Sequence, residues 1–153
     1  MAPRRRFRFR GRKHHYSVEN RFFSLALTAA QTTSQVIVPA SSTEGKRKVA
    51  HLTLSGTYAG GASGLMWALM YIPQGMTVPG FNLGSTGSSV LEPNQYVMNA
   101  GTLDADAGPI RISSRVTRTL HSGDSIVLLV TPLASTGTLG SVNGLVRYAI
   151  AYD

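Results

Sequence analysis

Eight short runs of aliphatic, aromatic and β-branched residues, each cut off by Gly, Pro, Ser, Asn or Asp, commit this chain to strands. The runs span about Glu19–Thr28, Ser34–Val38, Lys46–Thr57, Leu65–Pro73, Gln95–Gly101, Ile110–Thr119, Asp124–Thr131 and Val142–Tyr152. No stretch carries a sustained helical period with caps. Three runs alternate clearly. Ala50, Leu52 and Leu54 oppose His51, Thr53 and Ser55. Ile110, Ile112 and Val116 oppose Arg111, Ser113, Arg115 and Thr117. Val146, Tyr148, Ile150 and Tyr152 oppose Leu145, Arg147, Ala149 and Ala151. Side chains alternate across a strand, so each of these has one dry face. Leu65–Ile72 is apolar at both parities and calls for cover on both sides, by a facing sheet and by a neighbouring chain or loop.

Eight antiparallel strands within 153 residues predict an all-β fold of two packed sheets, a jelly-roll sandwich, with a closed barrel as the alternative. The length suits one domain with a substantial core. The longest connection, Gln74–Asn94, is rich in Gly, Ser and Pro. A connection of that size is usually functional or packs on a partner.

Charge divides the chain into two parts. Of 15 Lys and Arg, seven lie in the first thirteen positions: Arg4, Arg5, Arg6, Arg8, Arg10, Arg12 and Lys13. The remaining eight face seven Asp and Glu, so the rest is nearly neutral. Residues 1–16 read as a disordered or extended basic arm, and residues 17–153 as the folded domain. A block of like charge cannot bury itself and seeks a polyanion. Arginine alternates with aromatics at Arg6-Phe7-Arg8-Phe9-Arg10, which suits bidentate pairing with phosphates and stacking on unpaired bases. The arm is therefore expected to bind nucleic acid; the alternatives are a solvated tail or a nuclear localisation signal, and the same charges can serve both localisation and packaging. As a signal or transit peptide it is too basic and too clustered, and Ser24 and Thr28 interrupt the apolar stretch Phe22–Ala30. No apolar run is long enough to cross a bilayer as a helix, so membrane insertion is not expected.

Signs of catalysis are weak. With no cysteine there are no disulfides, thiol nucleophiles or Cys-based zinc sites. Asp104-Ala105-Asp106-Ala107-Gly108 begins like a calcium loop, but Arg115 stands where the bidentate Glu belongs, so a turn explains it better. His121-Ser122-Gly123-Asp124 sets triad residue types side by side, where they cannot form an oriented relay, and also reads as a turn. His51 has no partner of ligand type and reads as a surface or interface residue. No catalytic residue, metal or cofactor is expected.

Leu69-Met70-Tyr71-Ile72-Pro73-Gln74-Gly75, Glu92-Pro93-Asn94-Gln95-Tyr96-Val97-Met98 and Ala107-Gly108-Pro109-Ile110-Arg111 resemble segments of the capsid proteins of small circular single-stranded DNA viruses, the circovirus-like and nanovirus-like group. The basic arm and eight-run body strengthen the resemblance. It implies an icosahedral shell of sixty copies that packages single-stranded DNA. It also implies residence in the virion, assembly in the host nucleus, and dealings with nuclear import machinery and a host receptor. In that family the first, eighth, third and sixth strands form one sheet, and the second, seventh, fourth and fifth the other. The outer face of the first sheet, toward the interior, would then carry His51, Arg111, Arg115 and Arg147. Turns bearing Gly60, Gly61, Gly64, Asp104 and Asp106 would gather at one end, around a symmetry axis. The nucleic-acid contacts implied are the seven arm cations with Arg111, Arg115 and Arg147.

Two alternatives use the same features. One is a satellite RNA virus capsid protein, which has a similar arm and jelly roll. The other is a monomeric RNA- or DNA-binding β-barrel module with a basic tail. Such a module should present bases and aromatics on a sheet face. The near-neutral body, with aromatics expected at core positions, favours a shell.

Overall fold

The computed structural model describes residues 15–29, 31–60, 64–78, 96–104, 108–133 and 140–152. The arm cations Arg4–Lys13, together with Gly61 and Asp106, lie outside the described residues. The strands are β1 (Ser17–Ala26), β2 (Thr33–Val38), β3 (Arg47–Ala59), β4 (Gly64–Ile72), β5 (Val97–Asp104), β6 (Ile110–Ser114), β7 (Arg118–Leu120), β8 (Ser125–Pro132) and β9 (Ser141–Tyr152). No helix occurs among the described residues, and none is long and apolar enough to cross a membrane.

One sheet runs β1-β9-β3-β6, with β7 also on β3, and the other runs β2-β8-β4-β5. Every pairing is antiparallel. With β6 and β7 counted as one interrupted strand, this is the jelly-roll order expected from the sequence. The facing sheets enclose a core that includes Phe23, Leu52, Leu54, Trp67, Leu69, Leu128, Val146 and Ile150.

The two central strands of the second sheet, β4 and β8, are dry on both faces. Ala68, Met70, Ile72, Val127 and Leu129 form a separate buried cluster on the sheet's outer side. Val78 and Tyr96, from the two ends of the β4–β5 connection, pack against that cluster. The two ends of the chain's own connection thus supply part of the cover that the two-sided apolarity of Leu65–Ile72 calls for.

A bulge modifies the first sheet. The β3–β9 register shifts between Ala50 and Thr53, where His51 adopts a left-handed φ of 54°. Before the bulge, Arg47 and Val49 point inward with Ile150; after it, Leu52 and Leu54 do. Ala50 therefore has the parity of Ala149 on the outer side, not that of Leu52 and Leu54 as the simple alternation predicts. The same irregularity divides the sixth run. β6 pairs with Leu52–Gly56 and β7 with Arg47–Val49, leaving residues 115–117 between them. Val116, expected in the core, is 42% exposed. Tyr152, also expected inside, lies at the end of β9 and is 65% exposed.

Gly56 and Gly144 face each other across β3 and β9. A Cβ on Gly144 would come within 2.4 Å of the Ser55 carbonyl oxygen and 3.0 Å of the Phe23 ring. Only glycine lets these backbones approach and Phe23 lie over them.

Candidate nucleic-acid interface

The body's cations are segregated. Arg21 is on β1, Arg47 and Lys48 on β3, Arg111 on β6, Arg118 on β7 and Arg147 on β9. Lys46 immediately precedes β3, and Arg115 lies between β6 and β7. All eight therefore belong to the five-stranded sheet or its immediate flanks. β2, β4, β5 and β8 contain no Lys or Arg, and Asp104 is their only acid. Net charge hides this division; only the sheet order reveals it.

On the outer face of the basic sheet, two cross-strand rows define a patch. One runs Asn20–Arg147–Thr53–Ser113, and the other Phe22–Leu145–Ser55–Arg111. Two strand spacings and a two-residue offset separate the Cα atoms of Arg111 and Arg147 by about 12 Å. Lys48, which registers with Ala151, extends the same face. Arg111, Arg115, Arg147 and His51 are exposed, and no ion pair engages the three arginines among the described residues. Arg111 and Arg147 thus share the face that the resemblance implies. Arg115 is exposed beside it but stands in the break after β6, not on a strand.

Phe22 is 89% exposed and shares this face. The expectation that aromatics fall mainly in the core missed it, along with exposed Tyr16 and Tyr152. Alternation along β1 held the signal. Phe23 is buried in the core, so its neighbour Phe22 must point the other way.

Two further cations have structural partners. Arg47 is buried and donates to the carbonyls of Pro39 and Asp124, each at 3.0 Å. The guanidinium of Arg118 lies 4.3 Å from the Tyr71 ring centroid, a cation–π contact.

Asp124 is the hub of this end of the sandwich and is 3% exposed. Its carboxylate accepts from Tyr71 Oη at 2.6 Å, from the His121 N–H at 2.7 Å and from the Gln74 N–H at 3.0 Å. Burial by itself would raise the Asp124 pKa, but these three donors outweigh it and leave the pKa lowered. Burial, the hydrogen bond to Asp124 and that carboxylate's charge push the Tyr71 phenol up to about 12. The turn reading of His121–Asp124 is supported: the Asp124 N–H returns to the His121 carbonyl, and Gly123 has φ 82°. Sequence reasoning did not anticipate that Asp124 would link this turn to the exit of β4.

At the opposite end, Gly60 approaches Gly140, Gly64 pairs with Asp104, and the Leu133 N–H donates to the Gly64 carbonyl. Of the expected gathering, Gly64 and Asp104 are brought together, and Gly60 lies beside Gly140. No group of three or more metal-ligating residues occurs among the described residues.

No protein-family model matches the chain, and no curated protein matches it. Among solved structures, the chain is similar to one of Desmodium yellow mottle tymovirus, at 11% identity and TM-score 0.41, covering 92% of this chain and 90% of that one. A tobacco necrosis virus structure shares 10% identity at TM-score 0.46, covering 91% of this chain and 96% of that one. A human norovirus GI.7 Houston strain VLP in T=3 symmetry shares 12% identity at TM-score 0.45. That match covers 92% of this chain but 32% of the norovirus chain, so this chain spans about a third of its length. The jelly-roll assignment rests on this chain's own strand order.

Proposed function

We propose that this chain is a viral capsid protein that self-assembles into a closed icosahedral shell and packages single-stranded nucleic acid, with no catalytic role. The observation that carries the reading is charge segregation: one sheet of the jelly roll, with its immediate flanks, holds every Lys and Arg of the body, and the strands of the other hold none. A shell subunit needs such polarity, because one side meets a polyanion and the other does not. The arm of residues 1–16 supplies seven further cations and joins the body where β1 begins.

Charge arithmetic supports a role for the sheet. About sixty arms of seven charges neutralise about 420 phosphates. Encoding this chain once takes 459 nucleotides, three for each of its 153 residues. A genome with any second gene exceeds the arms, and Arg111, Arg115 and Arg147 are exposed additional cations on or beside one sheet. Assignment of the genome to DNA, and of assembly to the host nucleus, follows from the resemblance to circovirus-like capsid proteins.

The exposed basic sheet with Phe22 also suits the monomeric binding module. Electron microscopy of the purified full-length protein separates the two readings. Uniform closed particles are expected, containing nucleic acid that is degraded by DNase after the shell is opened. A monodisperse small species with no particles would overturn the shell. RNase-sensitive contents would reassign the genome to RNA.

A further inference from the structure

Phe22 occupies the middle of β1 with its side chain almost wholly in solvent, at 89% exposure. Leaving a phenylalanine so exposed forgoes stabilisation that burial would give, which favours a position where something covers it. Its cross-strand partner is Leu145, and Arg147 lies diagonally beyond, about 7–8 Å away by sheet geometry. Arg111 ends the same row two strands over. Around this ring the face carries Asn, Ser and Thr, and no carboxylate among the described residues has its parity.

Charge decides between occupants. A second copy presenting the same face would set cations against cations. Nor do the four described carboxylates form one complementary acidic surface: Asp124 is buried, Glu19 on β1 has the parity of inward-pointing Tyr148, Glu44 precedes β3 and Asp104 ends β5, each on a different element. A polyanion with flat apolar faces fits both the cations and the ring.

We propose that Phe22 is a base-stacking position: an unpaired base of single-stranded nucleic acid lies on its ring while Arg147 and Arg111 hold neighbouring phosphates. The inference rests on the single-strand packaging reading above and adds where a base is held. Stacking would make the sheet prefer unpaired strands over duplex, a preference that arginines alone do not confer.

The test uses the full-length protein and an oligothymidylate of about 30 nucleotides, long enough to span several binding positions. F22W places an indole at the site, while Trp67 is buried between the sheets and supplies a constant background. Oligothymidylate is expected to quench F22W emission, and inorganic polyphosphate of matched charge is not. F22A should bind oligothymidylate about tenfold more weakly, with an unchanged salt slope and unchanged polyphosphate affinity. Unquenched F22W under tight binding, or F22A with unmodified affinity, would overturn the proposal and leave the shell reading standing. F22A that loses particle assembly at unchanged oligothymidylate affinity would instead assign Phe22 to a contact between copies. No oligothymidylate binding by the unmodified protein would overturn the packaging reading together with this one.

Discussion

The two sheets of this sandwich share antiparallel pairing, yet differ in what their outer faces tolerate. The outer face of β2-β8-β4-β5 carries a buried apolar cluster against which the ends of the β4–β5 connection pack. The outer face of β1-β9-β3-β6 carries exposed cations, small polar residues and Phe22. One sheet is therefore a structural wall and the other a presenting surface. Secondary structure alone does not separate them, because both are antiparallel and both contribute a full inner face to the core. The difference lies in the second parity of each strand.

Placing the same charge on each sheet breaks the comparison most sharply. Met70→Lys buries an ammonium in the outer apolar cluster, and loss of at least about 4 kcal/mol, or failure to fold, is expected. Ser113→Lys adds the charge to the exposed face and should change stability by no more than about 0.5 kcal/mol. Its nucleic-acid affinity should rise and its salt slope steepen by about one. Urea unfolding and titration at several salt concentrations give both readings.

The Asp124 hub is the next largest effect, because it ties Arg47 of the basic sheet to Tyr71 of the apolar one. Asp124→Ala strands a phenol and two backbone N–H groups, at a cost of about 3 kcal/mol in urea unfolding. The sign of the pH effect follows from the lowered pKa. The stabilisation is fully present above the ordinary aspartate value of about 4 and is lost as pH falls through the lower folded-state value. Asp124→Asn should flatten that acid limb.

Much of this was legible in the sequence because a strand announces its parity. The eight runs became the two sheets in the expected order, and Arg111 and Arg147 share the face that alternation gave them. Most of what failed did so at one place. The bulge at His51 moved Ala50 to the other parity, split the sixth run and put Val116 and Arg115 in a connection. A bulge inserts a residue without altering composition, so the pattern of Lys46–Thr57 gives no sign of it. Net charge misled differently: by summing over the body it concealed a division that depends on which strands are neighbours. Phe22 was legible from the buried parity of Phe23, but only once β1 was known to have one wet side.

The bulge gives the smallest effect. His51 holds a conformation costing a non-glycine residue about 1–2 kcal/mol. His51→Val, with β-branching added, should lose a further 1–2 kcal/mol or about that, whereas His51→Gly should stay within about 1 kcal/mol of the parent. Equal losses for both would mean that the imidazole, not the backbone, matters here.

Replacing Arg111, Arg115 and Arg147 together with Gln tests most directly whether the basic sheet faces the packaged nucleic acid. The measurement is the ratio of absorbance at 260 and 280 nm for gradient-purified particles. With three of ten proposed contact cations per subunit removed, particles should assemble at the normal size and hold about a third less nucleic acid. Unchanged nucleic-acid content in normal particles would contradict the account; so would folded protein that no longer assembles, which would make these arginines contacts between subunits.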